Sequence, residues 1–379
     1  MIILKHAMLV VSSLFLVAFI IAAPVVNGQD ISLVPGESCI TSSCHADKAK
    51  KEFIHTIAAN GLTCIICHQA PDLEQHRFKM LAEGGELCAQ CHGVKANKEF
   101  KHMPVAVGLC TFCHDPHQAD YPKQLKFPPT GELCFNCHDK KTFSGAVTHG
   151  PVAEGLCLEC HDPHTSDHDF QLKAALPDLC FGCHDRNLKD PGGGILPSPK
   201  QTFDNKELTQ HLPFAIGQCM ICHIPHAGPN YRLLRSAYPE SFYTSYSQDK
   251  YICLTCHNGK AFNDARTMTE TAFRNGNLNL HYRHVNREKG RTCRACHHHH
   301  GAENPKLIRA YVPFGSRAIT IQNFEKTETG GQCGPTCHPL VRYDRYEPVQ
   351  NALKVTPREG LDAAPEALQQ AKEQQMKAP

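Results

Sequence analysis

All 22 cysteines of this 379-residue chain fall into pairs, and every pair is followed directly by a histidine. Nine pairs share the spacing C-x-x-C-H: Cys64/Cys67, Cys88/Cys91, Cys110/Cys113, Cys134/Cys137, Cys157/Cys160, Cys180/Cys183, Cys219/Cys222, Cys253/Cys256 and Cys293/Cys296. Two are wider, with four residues inside Cys39/Cys44 and three inside Cys333/Cys337. With 26 His and no Trp beside these cysteines, the chain is far from average usage. A core need not be made of side chains if a large apolar cofactor supplies the bulk.

At this composition chance supplies about 0.1 copies of C-x-x-C-H. Zinc sites do not need a His after every second Cys, and a disulfide framework needs no His at all. Covalent haem c attachment needs both features. Two thiols must reach the two vinyl groups on one porphyrin edge, and the adjacent His must bind the iron. The sequence therefore predicts about eleven haem c groups, nine on C-x-x-C-H and two on the wider motifs. For each wider motif an unloaded or disulfide-bonded pair stays open. The proximal iron ligands are His45, His68, His92, His114, His138, His161, His184, His223, His257, His297 and His338.

The motifs belong to a longer repeat. KEFIHTIAANGLTCIICH (51–68), KEFKHMPVAVGLCTFCHDPH (98–117), VTHGPVAEGLCLECHDPH (147–164) and QHLPFAIGQCMICHIPH (210–226) follow one plan. A His stands eight or nine residues before a motif, and most units carry another three residues after it. A second motif follows, so five doublets open at Cys64, Cys110, Cys157, Cys219 and Cys293, with Cys39 alone in front. A six-coordinate iron takes a second axial ligand. The repeat nominates His55, His102, His149, His211 and His284 upstream, His117, His164, His226 and His300 downstream, and His76 as the displaced counterpart in the first doublet. His281 or His168 can serve the eleventh iron, with His281 preferred, and His298 and His299 read as solvated side chains. In Cys113-His114-Asp115-Pro116-His117 the Pro fixes the backbone and aims His117 away from its own haem, so downstream histidines are expected to bind a neighbouring iron.

Residues 1–28 read as a secretory signal peptide, with Lys5, an apolar run from Met8 to Ala23 and small residues before Gln29. An uncleaved anchor is the alternative, because Met8 to Val26 is nearly long enough to span a membrane. Beyond it we expect a compact multihaem half at 29–184, a linker loop at 185–205 around PGGGILPSP, a second multihaem half at 206–345, and a Gln/Ala/Lys-rich tail at 346–379, helical over 365–376 or disordered. The expected fold is mainly irregular and haem-packed, with short α-helices and essentially no β-sheet. Helices are predicted over Lys48 to Ala59 and Asp72 to Glu83, each stopped by a glycine, and no alternating pattern marks a sheet. The formal charge is +2. Propionates and ferric cores would take the loaded mature chain to about −10, favouring cationic partners. No basic tract suits nucleic acid.

The H-x7-C-x-x-C-H-x-P-H units at 149–164 and 211–226, with L-C-x-x-C-H at 179–184, resemble multihaem cytochromes with doubled C-x-x-C-H motifs. More closely, the chain is similar over about 40–345 to the porin-embedded decahaem cytochromes of metal-reducing bacteria. That resemblance implies a bis-His haem wire passing electrons across the outer membrane. Its implied partners are periplasmic cytochromes, an outer-membrane porin and an outer-surface cytochrome. It implies no substrate chemistry, so the chain is expected to be an electron-transfer protein and not an enzyme. Two alternatives stand: a subunit that self-associates into extracellular cytochrome filaments, and a multihaem reductase of nitrite or sulfur oxyanions. The second is weakened by the lack of C-x-x-C-K and by a histidine count that forces no open iron.

Overall fold

The computed structural model describes residues 38–351 apart from 43, 60, 73–74, 191, 315–316 and 336–337. The expected signal peptide, residues 352–379 of the tail and Cys337 lie outside the described residues. The contacts divide the chain into two units, residues up to 83 with 116–118, and residues 84–115 with 119 onward. No helix among the described residues is long and apolar enough to cross a membrane.

Regular structure is short throughout. The longest described helix, Gly84–His92, has nine residues, and most others are a single turn. The repeat explains this. His102, His149 and His211 sit in extended conformation before one-turn helices Met103–Ala106, Gly150–Ala153 and Leu212–Ala215. Pro104, Pro151 and Pro213 occupy the first turn, where a missing N–H costs nothing. Each turn is closed by an amide bonding back to the histidine carbonyl, as from Ala106 to His102 at 2.9 Å. Gly108, Gly155 and Gly217 then reverse the chain at φ of 76°, 71° and 74°, a conformation that costs glycine nothing.

In the second unit, neighbouring repeats are stitched by two-residue antiparallel strands. Phe100–Lys101 pairs with Thr165–Ser166, Val147–Thr148 with Ala227–Gly228, and Thr209–Gln210 with Gly301–Ala302. Every stitch ends on two histidines. The amide of His102 donates to the His164 carbonyl at 3.0 Å, His149 to His226 at 2.9 Å, and His211 to His300 at 2.9 Å. The same bond joins His55 to His117 at 2.8 Å within the first unit.

Two expectations need correction. The predicted helix at 48–59 is broken into a 3-10 turn at Ala46–Ala49, a strand at Phe53–Ile54 and one helical turn at Thr56–Ala59, because His55 is drawn into the stitch. The predicted helix at 72–83 is instead a hairpin of His68–Asp72 with Arg77–Met80. The glycine read as its stop begins the Gly84–His92 helix.

The absence of sheet is also overstated. Strands Tyr311–Phe314, Arg317–Lys326, Gly330–Pro335 and Val341–Asp344 form one antiparallel sheet in that order. Its inner face buries Val312 and Ile321 against Ala295, with Ile319, Phe324, Phe242, Ile308 and Cys333 around them. The alternation is hidden in the sequence by a bulge. The register shifts between Gln322 and Glu325, with Asn323 left-handed at φ 50°. An extra residue reverses the parity, so Ile319 and Ile321 are joined on the core face by Phe324 instead of residue 323.

Beyond that cluster little apolar surface is buried. Fourteen apolar side chains are buried among the described residues, and they are scattered along the chain. Ile65, Ile66, Phe112 and Ile221, inside the C-x-x-C turns, are 57%, 47%, 59% and 50% exposed. They stand beside the paired cysteines, where a large apolar group bonded there would cover them.

Two outcomes follow for the sheet. Ile321→Ala should cost about 2–3 kcal/mol, read as faster amide exchange across 317–335. Burial works to raise the Asp344 carboxyl, but the amides of Glu347 and Tyr346 and the Thr329 hydroxyl outweigh it and hold the carboxyl below its ordinary value. A depressed acid stabilises the fold above its unfolded pKa and loses that contribution as pH falls through the folded pKa. Exchange at 344–347 should therefore accelerate below the ordinary carboxylate range, and Asp344→Asn should remove that acid-dependent step.

Candidate haem centres

Each C-x-x-C segment is one turn of helix. Cys64–Ile66, Cys110–Phe112, Cys157–Glu159 and Cys219–Ile221 are 3-10 turns, while Cys134 and Cys180 end or sit within short α-helices. The following histidine is tied to the first cysteine, as in His114 N–H to Cys110 O at 3.1 Å and His184 N–H to Cys180 O at 3.0 Å. The turn brings the histidine backbone onto the first cysteine of its motif. No disulfide joins the described cysteines, and burial raises the thiols of Cys113, Cys160 and Cys222. No three His, Cys, Asp or Glu side chains converge as a zinc site needs, among the described residues.

The wide motifs differ from each other. Cys39 lies within hydrogen-bonding distance of Cys64, and His45 is left-handed at φ 48°. Cys333 lies in strand Gly330–Pro335 against the apolar cluster. Burial, with Cys296 nearby, pushes its thiol up to about 11.

Consecutive motifs touch at their cysteines. The thiols of Cys134 and Cys157, of Cys180 and Cys219, and of Cys253 and Cys293 are hydrogen-bonded pairs. Glycine permits the approach. A Cβ on Gly155 would lie 2.8 Å from the Gly131 nitrogen, one on Gly108 2.8 Å from the Gly85 nitrogen, and one on Gly217 2.8 Å from Pro177 Cδ.

The two cysteines of a pair, both expected as haem anchors, differ in exposure. Cys91, Cys137, Cys183 and Cys256, the second cysteines of the second motifs in doublets one to four, are exposed. Their first-cysteine partners Cys88, Cys134, Cys180 and Cys253 are half-buried. The reason is positional. In doublets one to three the junction glycines let the first cysteine of the second motif approach the next doublet, while the second cysteine lies on the outer side of the turn. Cys137 still lies within electrostatic reach of Cys113, Cys183 of Cys160 and Cys256 of Cys222, and the Cys256 thiol is 3.8 Å from Thr255 Oγ1. Cys44 departs in another way. Half-buried, it is held by its backbone, which exchanges hydrogen bonds with Thr41 at 2.8 and 3.0 Å, while Cys39 is the cysteine of that motif drawn to Cys64. The four-residue spacing separates the two cysteines by an extra turn of chain, so the protein fold does not bring Cys44 into the thiol contact that Cys39 makes.

The imidazoles meet in facing pairs. Ring centroids are 6.0 Å apart for His45–His76, His68–His117 and His161–His226, and 6.1 Å for His102–His138, His114–His164 and His149–His184. The spacing is 6.2 Å for His211–His257 and 6.4 Å for His223–His300. Rings in van der Waals contact would be closer. An imidazole nitrogen sits about 2.0 Å from a metal that it ligates, so two rings trans across one metal hold centroids about 6 Å apart. Each pair joins one motif histidine to one repeat histidine, so the residues fit a six-coordinate haem iron.

One ring nitrogen is already committed in many of them. Nδ1 of His55 donates to Pro116 O at 3.0 Å and that of His102 to Pro163 O at 3.0 Å. The rings of His149 and His211 bond the backbone of Pro225 and His299. Nδ1 of His114, His161, His223 and His297 donates to the carbonyls of Lys123, Phe170, Arg232 and Lys306 at 2.8, 2.8, 3.1 and 2.9 Å. With Nδ1–H held, Nε2 presents its lone pair.

His281 and His284 share the helix Leu280–Val285. Nδ1 of His281 is 2.8 Å from Thr271 Oγ1, and that of His284 donates to Leu280 O at 2.7 Å. His281 lies within electrostatic reach of His297, and His284 of His338. Burial pushes His281 and His284 down to about 4 and His300 to about 3. They are thus neutral, as ligation requires. His338 donates Nδ1–H to Pro339 O at 2.8 Å. His92 ends its helix in the second unit, while His55 belongs to the first.

His168 heads a 3-10 turn and belongs to none of the facing pairs. His298 and His299 stack on each other at 5.1 Å. Of these two, both expected to be solvated, His299 is exposed, while His298 is half-buried and burial holds it below its ordinary pKa. Sequence reasoning missed the carbonyl partners of the motif histidines. A usable signal was present, since Leu125, Leu172, Leu234 and Ile308 each stand eleven residues after a motif histidine.

A family model described as Doubled CXXCH motif matches residues 102–143, 149–189 and 211–262. Each matched segment opens on the upstream histidine of a doublet and runs through both of its motifs. The match supports a multihaem c-type cytochrome. In such a cytochrome haem c is held covalently and the role is electron transfer. No curated protein matches the chain.

The doublet junction yields a prediction. Gly155→Val places a β-branched side chain at positive φ against Gly131, which should cost roughly 3–5 kcal/mol. The readout is the protein's thermal midpoint. Gly150→Ala, with nothing within 4 Å of its Cβ, should leave that midpoint within a few degrees.

Proposed function

We propose that the chain is an undecahaem c-type cytochrome that conducts electrons along a chain of bis-His haems. The observation that carries this reading is the facing of motif and repeat histidines at 6.0–6.4 Å. The eleven cysteine pairs would hold the haems, the wide ones and the five outlying cysteines included. Axial pairs would be His45 with His76, His68 with His117, His114 with His164, His138 with His102, His161 with His226, His184 with His149, His223 with His300 and His257 with His211. His297 with His281 and His338 with His284 follow, and His92 is the remaining motif histidine.

Haem c supplies a one-electron ferric/ferrous couple. The protein's part is to keep that couple in place and coordinatively closed. Two neutral imidazoles per iron leave no position for nitrite or a sulfur oxyanion, which favours a conduit over a reductase. Downstream histidines belong to the next doublet, so each such iron would be clamped between two repeats and held at a set distance from its neighbours. The contacts between consecutive cysteine pairs support close haem edges.

Its cysteine usage and N-terminal segment favour export to the periplasm, and the resemblance to porin-embedded decahaem cytochromes favours association with the outer membrane. Its partners there are periplasmic cytochromes, a porin and an outer-surface cytochrome of dissimilatory metal respiration. Haem-stained native electrophoresis with subunit mass spectrometry tests this. Co-migration with a porin supports the conduit, a ladder of homopolymers replaces it with a filament, and an intact mass short of eleven haems overturns the count. His164→Ala should convert one low-spin haem to high spin, that of His114, while the haem of His161 keeps its spectrum.

A further inference from the structure

Four loops of the second unit share a backbone feature that cytochrome chemistry as stated so far does not use. Two successive residues other than glycine are left-handed in each: Lys123/Gln124 at φ 58° and 54°, Phe170/Gln171 at 57° and 53°, Arg232/Leu233 at 57° and 56°, and Lys306/Leu307 at 59° and 61°. Left-handed backbone is costly for residues carrying a Cβ. None of the eight is Gly, Asn or Asp, the residues that adopt it most readily. Such strain persists only where the surroundings enforce it, and it tends to collect at functional positions.

Both carbonyls of each pair are turned toward the motif histidine. The first residue's carbonyl accepts Nδ1–H of His114, His161, His223 or His297 at 2.8, 2.8, 3.1 and 2.9 Å. The second residue's carbonyl accepts the amide of the residue after that histidine, at 2.8 Å for Asp115 and Asp162, 2.7 Å for Ile224 and 2.9 Å for His298. The loop is then locked two residues on. The amides of Lys126, Lys173, Arg235 and Arg309 donate to the second cysteine of the motif at 2.8–3.0 Å.

The chain supplies its own contrasts. In the first unit Leu81 makes the same closing bond to Cys67 O at 2.9 Å, yet a hairpin replaces the left-handed pair. No carbonyl reaches the His68 ring there among the described residues. His138, His184 and His257, which open no such loop, also lack a ring hydrogen bond among the described residues. The strained pair thus accompanies the downstream-loop buttress of His114, His161, His223 and His297, whereas His338 takes its carbonyl from the adjacent Pro339.

We propose that these left-handed dipeptides are positioning residues that tune the iron couples of the first haem in doublets two to five. This rests on the reading that His114, His161, His223 and His297 are axial ligands. A carbonyl drawing on Nδ1–H fixes the tautomer and ring plane and makes Nε2 a stronger donor. A stronger donor favours ferric over ferrous iron, so the buttressed haems have lower potentials than they would with the bond removed.

Lys123 is exposed, so its substitution changes backbone preference and one charge. Lys123→Gly and Lys123→Val remove the same charge, but only glycine accepts φ near 58° without strain. In Lys123→Gly the low-spin electron paramagnetic resonance envelope should stay unchanged apart from a charge shift common to both variants, and the thermal midpoint should rise. In Lys123→Val one haem should shift its largest g-value and be reduced more readily, by about tenfold in equilibrium or about 59 mV for one electron. Haem content by alkaline pyridine spectrum should equal wild type in both. Identical spectra and titrations for the two fully loaded variants would overturn the tuning role, as would an equal shift in Lys123→Gly. A wild type without bis-His low-spin signals would instead sink the ligand reading beneath it. Should Lys123→Val lose haem, Lys306→Gly against Lys306→Val repeats the comparison at His297.

Discussion

The hydrogen bond between an imidazole Nδ1 and a backbone carbonyl organises most of this molecule. It commits one ring nitrogen to the chain and leaves the other to face a partner ring about 6 Å away. Four motif histidines, His114, His161, His223 and His297, get that carbonyl from a strained loop just downstream. Upstream His55, His102 and His149 bond the proline before the next doublet's downstream histidine, and His211 the backbone of His299. The two sources explain why the doublets cannot be separate modules. One ring is held by its own repeat, and the other is held by the stitch to the next.

Energetically the stitches are weak. A two-residue antiparallel ladder is far below the size that is stable alone in water, and the buried apolar side chains among the described residues are scattered, apart from one modest cluster beside the C-terminal sheet. Apolar residues inside the motif turns face outward. Covalently bound haem would supply both the missing apolar contacts and the cross-links between repeats, so folding and cofactor loading belong to a single process. Local structure is adapted to that end: single helical turns bring the histidine backbone onto the first cysteine of the motif, and glycines let adjacent turns come within touching distance.

The C-terminal region solves the same problem with different parts. His281 and His284 come from one short helix instead of from separate repeats, and Thr271 replaces a carbonyl as partner of His281. The wide motif at Cys333 is carried on a strand packed over Ala295, itself inside the preceding motif. A sheet with a real apolar face does there what a stitch does elsewhere. The greater burial of these histidines follows from it.

The sequence by itself determined the cofactor chemistry, because thioether attachment and iron ligation demand fixed residue types at fixed short spacing. It also exposed the doublet repeat and nominated the partner histidines, His76 included, since each is a local recurrence. What tertiary structure alone decided is which ring faces which, because that depends on antiparallel stitches between segments more than sixty residues apart. It also decided which cysteine of a pair turns inward: Cys134 and Cys137 are indistinguishable by spacing, and only the glycine junction to the next doublet separates them. The left-handed loops were equally hidden, since their residues have no common identity and the conformation is imposed by the closing hydrogen bonds. The sheet at 311–344 escaped notice because one bulged residue reversed its alternation, and the two mistaken helices because glycine stops do not reveal whether a stitch or a hairpin has already claimed the preceding backbone.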